Sequence, residues 1–174
     1  MEIVPYQPER LADLRTHFSR HWAESGEDGN YFLPFDLALP FRPRGIDPQG
    51  ALKPVGSTGW QWWLLVLKEG SVVGHLGLKA NAMEAASHRC ELGMGLQRNA
   101  RAQGIGTQLL ERAIDFATTE PRLEWMDLQV MANNTTARQL YKKFGFSEVG
   151  HFTDRFRIDG RSQDEIVMTR AVSP

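Results

Sequence analysis

Glu91-Leu92-Gly93-Met94-Gly95-Leu96-Gln97-Arg98-Asn99-Ala100-Arg101-Ala102-Gln103-Gly104-Ile105-Gly106 is the stretch on which the fold turns. A strand runs into a basic, Gly-containing loop, and an amphipathic helix follows at once. Ile105, Leu109, Leu110, Ala113, Ile114 and Ala117 recur at 3.6-residue spacing and mark one face of that helix. The first N–H groups of a helix have no intrahelical partner, and the helix dipole adds positive potential at the same point. The junction is therefore an anion site, and phosphate is the usual occupant. Gly104 and Gly106 let the backbone approach a ligand where a Cβ would block it.

The same residues decide which phosphate ligands do not fit. A P-loop ends in Gly-Lys-Ser or Gly-Lys-Thr, whereas Gly106 is followed by Thr107-Gln108. A dinucleotide fingerprint needs a third glycine where Leu109 stands after Gly104-x-Gly106, and the earlier Gly93-x-Gly95 pair has Arg98 in that place.

Outward from this stretch, composition bounds the answer. The 174 residues suffice for one domain with a real core, expected over 1–174. Hydrophobic residues are 41% and charged residues 24%, which are globular values. A net charge of −1 gives no broad basic surface, so no nucleic-acid partner is expected. Cys90 is the only cysteine, which excludes an internal disulfide and suits a reducing compartment; beside Glu91 in a strand it reads as a small core residue. Met1-Glu2-Ile3-Val4-Pro5 lacks the regions of a signal peptide, and no apolar run approaches ~18 residues. The expectation is a cytoplasmic protein with no membrane partner.

In chain order, Ile3-Val4 suits a short strand, and Leu11, Leu14, Phe18 and Trp22 follow helical spacing after Pro8-Glu9. Five prolines between residues 30 and 60 exclude a long helix or a central strand there, yet Tyr31, Phe32, Phe35, Phe41 and Trp60 are too apolar for a free linker. Two readings are open: a functional lid, or an arm that covers the core. Strands are expected over Trp62–Leu67, Val72–Lys79 and Arg89–Leu96, then the helix from Ile105 to Thr119, then a strand over Leu123–Val130. A short helix lined by Ala137, Leu140, Tyr141 and Phe144 follows, with Gly145 as its stop. Phe146–Phe156 and Ser162–Thr169 form a last hairpin across Asp159-Gly160. The fold class is α+β: a meander, then strand-helix-strand-helix, then a hairpin, with one parallel pair at the crossover. Ligands favour the point where such a sheet changes direction.

Arg101-x-x-Gly104-x-Gly106 resembles the pyrophosphate motif of the GNAT superfamily of acyl-CoA N-acyltransferases. About 30 residues on, Asn134-x-x-Ala137-x-x-Leu140-Tyr141-x-x-x-Gly145-Phe146 resembles that superfamily's second block in the same order and spacing. The resemblance runs from Val72 to Phe146. One departure is Arg98, where many members have proline. It implies a mixed, mostly antiparallel twisted sheet, flanked by helices and splayed into a V between the strands ending at Leu96 and Val130. Acetyl-CoA lies in that V in the family, and no metal is required. Its pantetheine arm would pair with the edge at Met94, Gly95 and Leu96. Its pyrophosphate would meet the N–H groups of Arg101, Ala102, Gln103, Gly104, Ile105 and Gly106. An exposed strand edge does supply N–H and C=O at the spacing of the pantetheine amides.

The resemblance also implies roles in catalysis. Asn134 would bond the pantetheine chain, and it is equally placed to cap a helix. Tyr141 would act as general acid toward the departing thiolate; the other reading is a core tyrosine. Glu91 is the candidate base, since several members of the superfamily carry a glutamate on this strand that deprotonates the amine, directly or through water; a salt-bridged surface glutamate is the alternative. His75 on the neighbouring strand is a second candidate. His17, His21, His88 and His151 lack metal-ligand spacing.

The implied reaction moves acetyl from acetyl-CoA to a primary amine by direct attack in a ternary complex. The acceptor is expected to be a small-molecule amine, an amino acid or a peptide N-terminus, with Arg42 or Arg44 available for a carboxylate. A homodimer is common in the superfamily. A non-catalytic CoA-binding or regulatory domain on the same fold is the alternative function.

Overall fold

The computed structural model describes residues 1–27, 31–34, 47 and 49–172. The aromatic and basic residues Phe35, Phe41, Arg42 and Arg44 of the proline-rich arm lie outside these described residues.

The chain runs β1 (Glu2–Pro5), α1 (Leu11–Ala23), β2 (Gln61–Lys68), β3 (Ser71–Ala80), β4 (Arg89–Leu96), α2 (Ile105–Thr119), β5 (Trp125–Met131), α3 (Thr135–Lys143), β6 (Ser147–Ile158) and β7 (Arg161–Ala171). The strands form one open sheet in the order β1-β2-β3-β4-β5-β7-β6. Among the described residues, only β4 and β5 pair in parallel. The mixed, mostly antiparallel α+β architecture expected from the sequence is the observed one. Asp159 (φ 49°) and Gly160 (φ 74°) both take the left-handed conformation that a tight two-residue hairpin requires.

Alternation along the strands divides the helices between two faces. Leu64, Val66, Leu76, Leu78, Cys90, Leu92, Met126, Leu128 and Val130 form the main core with Leu109, Leu110, Ala113 and Ala117 of α2. Trp62 stacks on Phe116 at 4.3 Å between ring centroids. Each fully buried leucine here stabilises the fold by about 1.5–3 kcal/mol relative to exposure. On the opposite face, α1 packs against Leu65 and Val72 through Leu14. Its buried stripe is Leu14, His17, His21 and Trp22, shifted from the expected one, because two histidines occupy the inner face and Leu11 is only half-buried.

The β4–β5 ladder is short. It pairs Arg89 with Trp125, Cys90 with Met126 and Glu91 with Asp127, and no further. At its closed end Arg89 donates to both oxygens of Asp127 at 2.7 and 2.5 Å, and Thr169 donates to Asp127 at 2.7 Å. Burial pushes the Asp127 carboxyl up, but the bonds from Arg89 and Thr169 outweigh it and hold the group below its usual range. Three strands are thus tied together just below the point where β4 and β5 part. Cys90 is fully buried beside this seam, and burial pushes its thiol up to about 12, as suits a core residue rather than a nucleophile.

Candidate active site

Beyond Glu91, β4 keeps β3 as its neighbour on one side only. Gln97 donates its N–H to the Val73 carbonyl, and this fixes the alternation of the antiparallel ladder. Gly93 and Gly95 therefore turn their backbone groups to β3, and Met94 and Leu96 turn theirs to the gap left by β5. The Leu96 carbonyl accepts from Arg101 Nε at 2.8 Å. Among the described residues, no strand pairs with the edge formed by the Met94 N–H and C=O and the Leu96 N–H.

A cavity of about 650 Å³ occupies the gap, within the range of small-ligand sites. Met94, Gly95 and Leu96 line it on one side, and Gln129, Val130 and Met131 on the other. Arg101, Ala102, Gly104 and Gly106 form its end at the loop. Ala102 (φ 57°) and Gly104 (φ 75°) take left-handed conformations, so successive N–H groups converge as in an anion nest. Among the described residues, no backbone acceptor pairs with the N–H of Ala102, Gln103 or Gly104. Gly104 is the N-cap of α2 and offers no side chain, which leaves the helix N-terminus uncapped. A Cβ on Gly104 would meet nothing within 4 Å, so the space in front of it is open. Ile105 itself is buried in the core, and the Gln103 side chain turns back to the Asn99 carbonyl at 3.1 Å.

Arg101 is a structural tie as much as a cation. Besides the Leu96 carbonyl, it holds Glu24 at the end of α1 at 2.5 Å, and its guanidinium lies 5.2 Å from the Phe32 ring centre. Glu24 also accepts the Arg98 backbone N–H. The loop is thereby anchored to α1.

Asn134 and Tyr141 both line the cavity from α3. Asn134 caps that helix by accepting from the Ala137 N–H at 3.2 Å. Tyr141 is 6% exposed and edge-on to Phe146, and burial pushes its phenol up to about 12. Gly106 lets α2 approach α3, since a Cβ there would stand 3.1 Å from Leu140.

Glu91 is not among the cavity-lining residues. It is the last β4 residue paired with β5, and its carboxylate lies 2.8 Å from Lys79 Nζ at the half-exposed surface. The register explains this. Glu91 stands opposite Lys79 on β3, so an ion pair forms across the strands below the open part of the V.

His75 does line the cavity, and it has company. Its Nδ1 is 2.8 Å from His17 Nε2, and His17 Nδ1 is 3.0 Å from Gln97 Nε2. His21 stacks on Phe32 at 4.6 Å between ring centres and also lines the cavity. A Cβ on Gly95 would fall 2.6 Å from both His21 Nε2 and His75 Cε1, so only glycine fits beneath these rings. Burial lowers His17 to about 4 and His21 to about 3, and holds His75 well below 6.5. All three are neutral near pH 7.

One residue that the sequence did not single out also lines the cavity. Glu165 on β7 stands opposite Met131 and is 6% exposed. By register it shares the α1 face of the sheet with Gly93, Gly95, His75 and Gln129. The i, i+4 histidine pair on α1 and the acidic residue within an apolar strand were the signals available for these groups.

A profile of the acetyltransferase (GNAT) family matches residues 12–146. The chain belongs to this family. A GNAT relative in Bacillus subtilis, the uncharacterized N-acetyltransferase YycN, is 30% identical over 148 residues, covering 84% of this chain and 92% of that protein. The L-amino acid N-acetyltransferase AaaT of Escherichia coli is 28% identical over 87 residues, half of this chain and 54% of its own. Among solved structures, a GNAT phosphinothricin acetyltransferase from Sinorhizobium meliloti in complex with acetyl-CoA superposes with a TM-score of 0.77 at 20% identity, over 99% of this chain and 88% of that one. The described residues share the fold of that acetyltransferase.

Proposed function

We propose that this GNAT protein transfers acetyl from acetyl-CoA to a primary amine, on a small molecule or a peptide N-terminus, by direct attack in a ternary complex. One observation supports this above the rest. Ala102 and Gly104, whose N–H groups have no backbone acceptor among the described residues, line the same cavity as the β4 edge at Met94–Leu96 and Tyr141. The pyrophosphate would take the nest and the uncapped end of α2. The pantetheine amides would add a strand to the Met94–Leu96 edge, with Asn134 as a further contact. The Leu96 N–H would then polarise the thioester carbonyl.

The amine nitrogen attacks the thioester carbon, the C–N bond forms, and the C–S pair leaves with sulfur. A phenol held near 12 keeps its proton at neutral pH, and a thiol of pKa about 8.5 is the stronger acid. Tyr141 therefore stabilises the departing thiolate mainly by donating a hydrogen bond. An α-amine, with a pKa of about 8 against about 10.4 for lysine, has far more free base at neutral pH and is the favoured acceptor.

Release of CoA thiol with a panel of amines tests the reading. Amino acids and peptide N-termini should turn over faster than spermidine or an internal lysine peptide at equal concentration. Tight acetyl-CoA binding with no turnover on any acceptor would move the protein to the CoA-binding alternative. Faster spermidine turnover would overturn the choice of acceptor alone.

A further inference from the structure

Among the described residues, five titratable side chains line the cavity: His21, His75, Arg101, Tyr141 and Glu165. Deprotonating an attacking ammonium needs a group with a free lone pair and a pKa near that of the working solution. Arg101 is a cation bound to Glu24, and Tyr141 is protonated. His21, lowered to about 3, is too weak a base.

The hydrogen-bond chain behind His75 removes it as well. Gln97 Nε2 lies between His17 Nδ1 at 3.0 Å and the Val72 carbonyl oxygen at 3.4 Å. An amide oxygen in that place would face another oxygen, so the amide N–H groups stand there and donate. His17 then accepts at Nδ1 and, being neutral, has its proton on Nε2. It donates that proton to His75 Nδ1. The neutral His75 must hold its own proton on Nε2, the ring nitrogen that His17 does not engage. His75 meets the cavity as an N–H donor with no lone pair to offer.

Glu165 remains. Its Oε2 is buried with no hydrogen-bond partner among the described residues. Arg155 of β6 forms an ion pair with this oxygen through Nε at 3.4 Å, long for a hydrogen bond, and its guanidinium lies over the Phe152 and Phe156 rings. On β7 the neighbouring Asp164 is taken by His151 and the Asp154 N–H. From β5 the facing residues Gln129 and Met131 are uncharged.

We propose that Glu165 is the general base: it holds the acceptor's ammonium in the α1 half of the cavity and takes its proton before attack on the thioester. The inference rests on the acetyltransferase reading above. The proton moves from R–NH₃⁺ to the Glu165 carboxylate, the freed pair on nitrogen forms the C–N bond as the C–S pair leaves with sulfur, the second nitrogen proton passes to the thiolate to give the amide and CoA thiol, and Glu165 passes its own proton to solvent when the product leaves. Burial raises the carboxyl above its ordinary range, ahead of the lowering effect of Arg155, which brings it toward the pH at which a base works.

The experiment is kcat/KM against pH for the parent, Glu165→Gln, Glu165→Asp and Glu91→Gln on the best acceptor of the panel, with acetyl-CoA affinity measured by calorimetry on each. Glu165→Gln should lose about 10²-fold or more at neutral pH and recover as pH rises through the amine's own pKa, with acetyl-CoA affinity within about threefold of the parent. Glu165→Asp should keep the parent's pH dependence at a lower rate, which a purely structural role would not produce. A Glu165→Gln profile that overlays the parent's overturns the assignment, as does transfer of the effect to Glu91→Gln. A parent that binds acetyl-CoA and acetylates nothing defeats both this inference and the function beneath it, whereas a turning-over parent with an indifferent Glu165 defeats this inference alone.

Discussion

Tyr141 presents a polar group from a short helix that has little else buried. A core site of this kind would take phenylalanine at no loss, so the hydroxyl is the part to test. Tyr141→Phe should lower kcat by about 10²-fold and leave KM for the acceptor nearly unchanged, because the hydrogen bond forms to charge that exists only in the transition state. Steady-state kinetics on the folded variant decide it, and unchanged turnover returns Tyr141 to a packing role. At this scale the sequence was uneven. Tyr141 and Asn134 were legible because they sit at fixed offsets in one helix, and helical spacing maps directly to a face. Glu91 was read as the base from its place on a strand, but whether it reaches the cavity depends on where the β4–β5 ladder ends. Glu165 was invisible for a similar reason: its strand reaches the site only through β5, across a pairing that no local pattern announces.

Among elements, the loop before α2 was the most legible. The helix begins and ends at Ile105 and Thr119 as its apolar spacing predicts. The helix α1 was less so, since histidine is a poor marker of an inner face and the true stripe passes through His17 and His21. The loop yields a direct measurement. Gly104→Glu should weaken acetyl-CoA binding about 10-fold or more, about 1.4 kcal/mol, by placing like charge in the anion nest. Gly104→Ala supplies the backbone control, because both variants strain a residue at φ 75° and only one adds charge. Equal affinities for the two by calorimetry would remove the nest from the cosubstrate site.

For the whole molecule, the buried histidines set the response to acid. An unfolded chain protonates histidine near 6.5, whereas His17 and His21 do so only at about 4 and about 3 in the fold. Between those values the unfolded chain binds more protons, so stability falls as pH drops from about 6.5, by up to about 1.4 kcal/mol per pH unit for each histidine. Glu165 acts in the opposite sense, since its raised carboxyl favours the folded state below its folded pKa and that contribution is lost as pH rises through it. Two histidines outweigh one carboxylate, and urea midpoints should decline from pH 7 to pH 4.5. His17→Gln should flatten that decline; a parallel fall in parent and variant would place the acid sensitivity elsewhere. The parallel pairing of β4 with β5 followed from the sequence because a helix connects them, whereas the place of β7 between β5 and β6 did not. The acceptor's identity did not, since Phe35, Phe41, Arg42 and Arg44 of the proline-rich arm lie outside the described residues.

The parting of β4 from β5 has a consequence for amide hydrogen exchange. Along the open half of β4, every second N–H is shared with β3 and every other one faces the cleft. Exchange from Gly93 to Leu96 should therefore beat with a two-residue rhythm, slow at Gly93 and Gly95 and fast at Met94 and Leu96, within a single strand of uniform geometry. A ligand that completes the sheet would silence the beat by slowing Met94 and Leu96 alone. Residue-resolved exchange with and without acetyl-CoA would register the cosubstrate as an eighth strand; protection spread evenly over β4 would mean that it binds by some other contact.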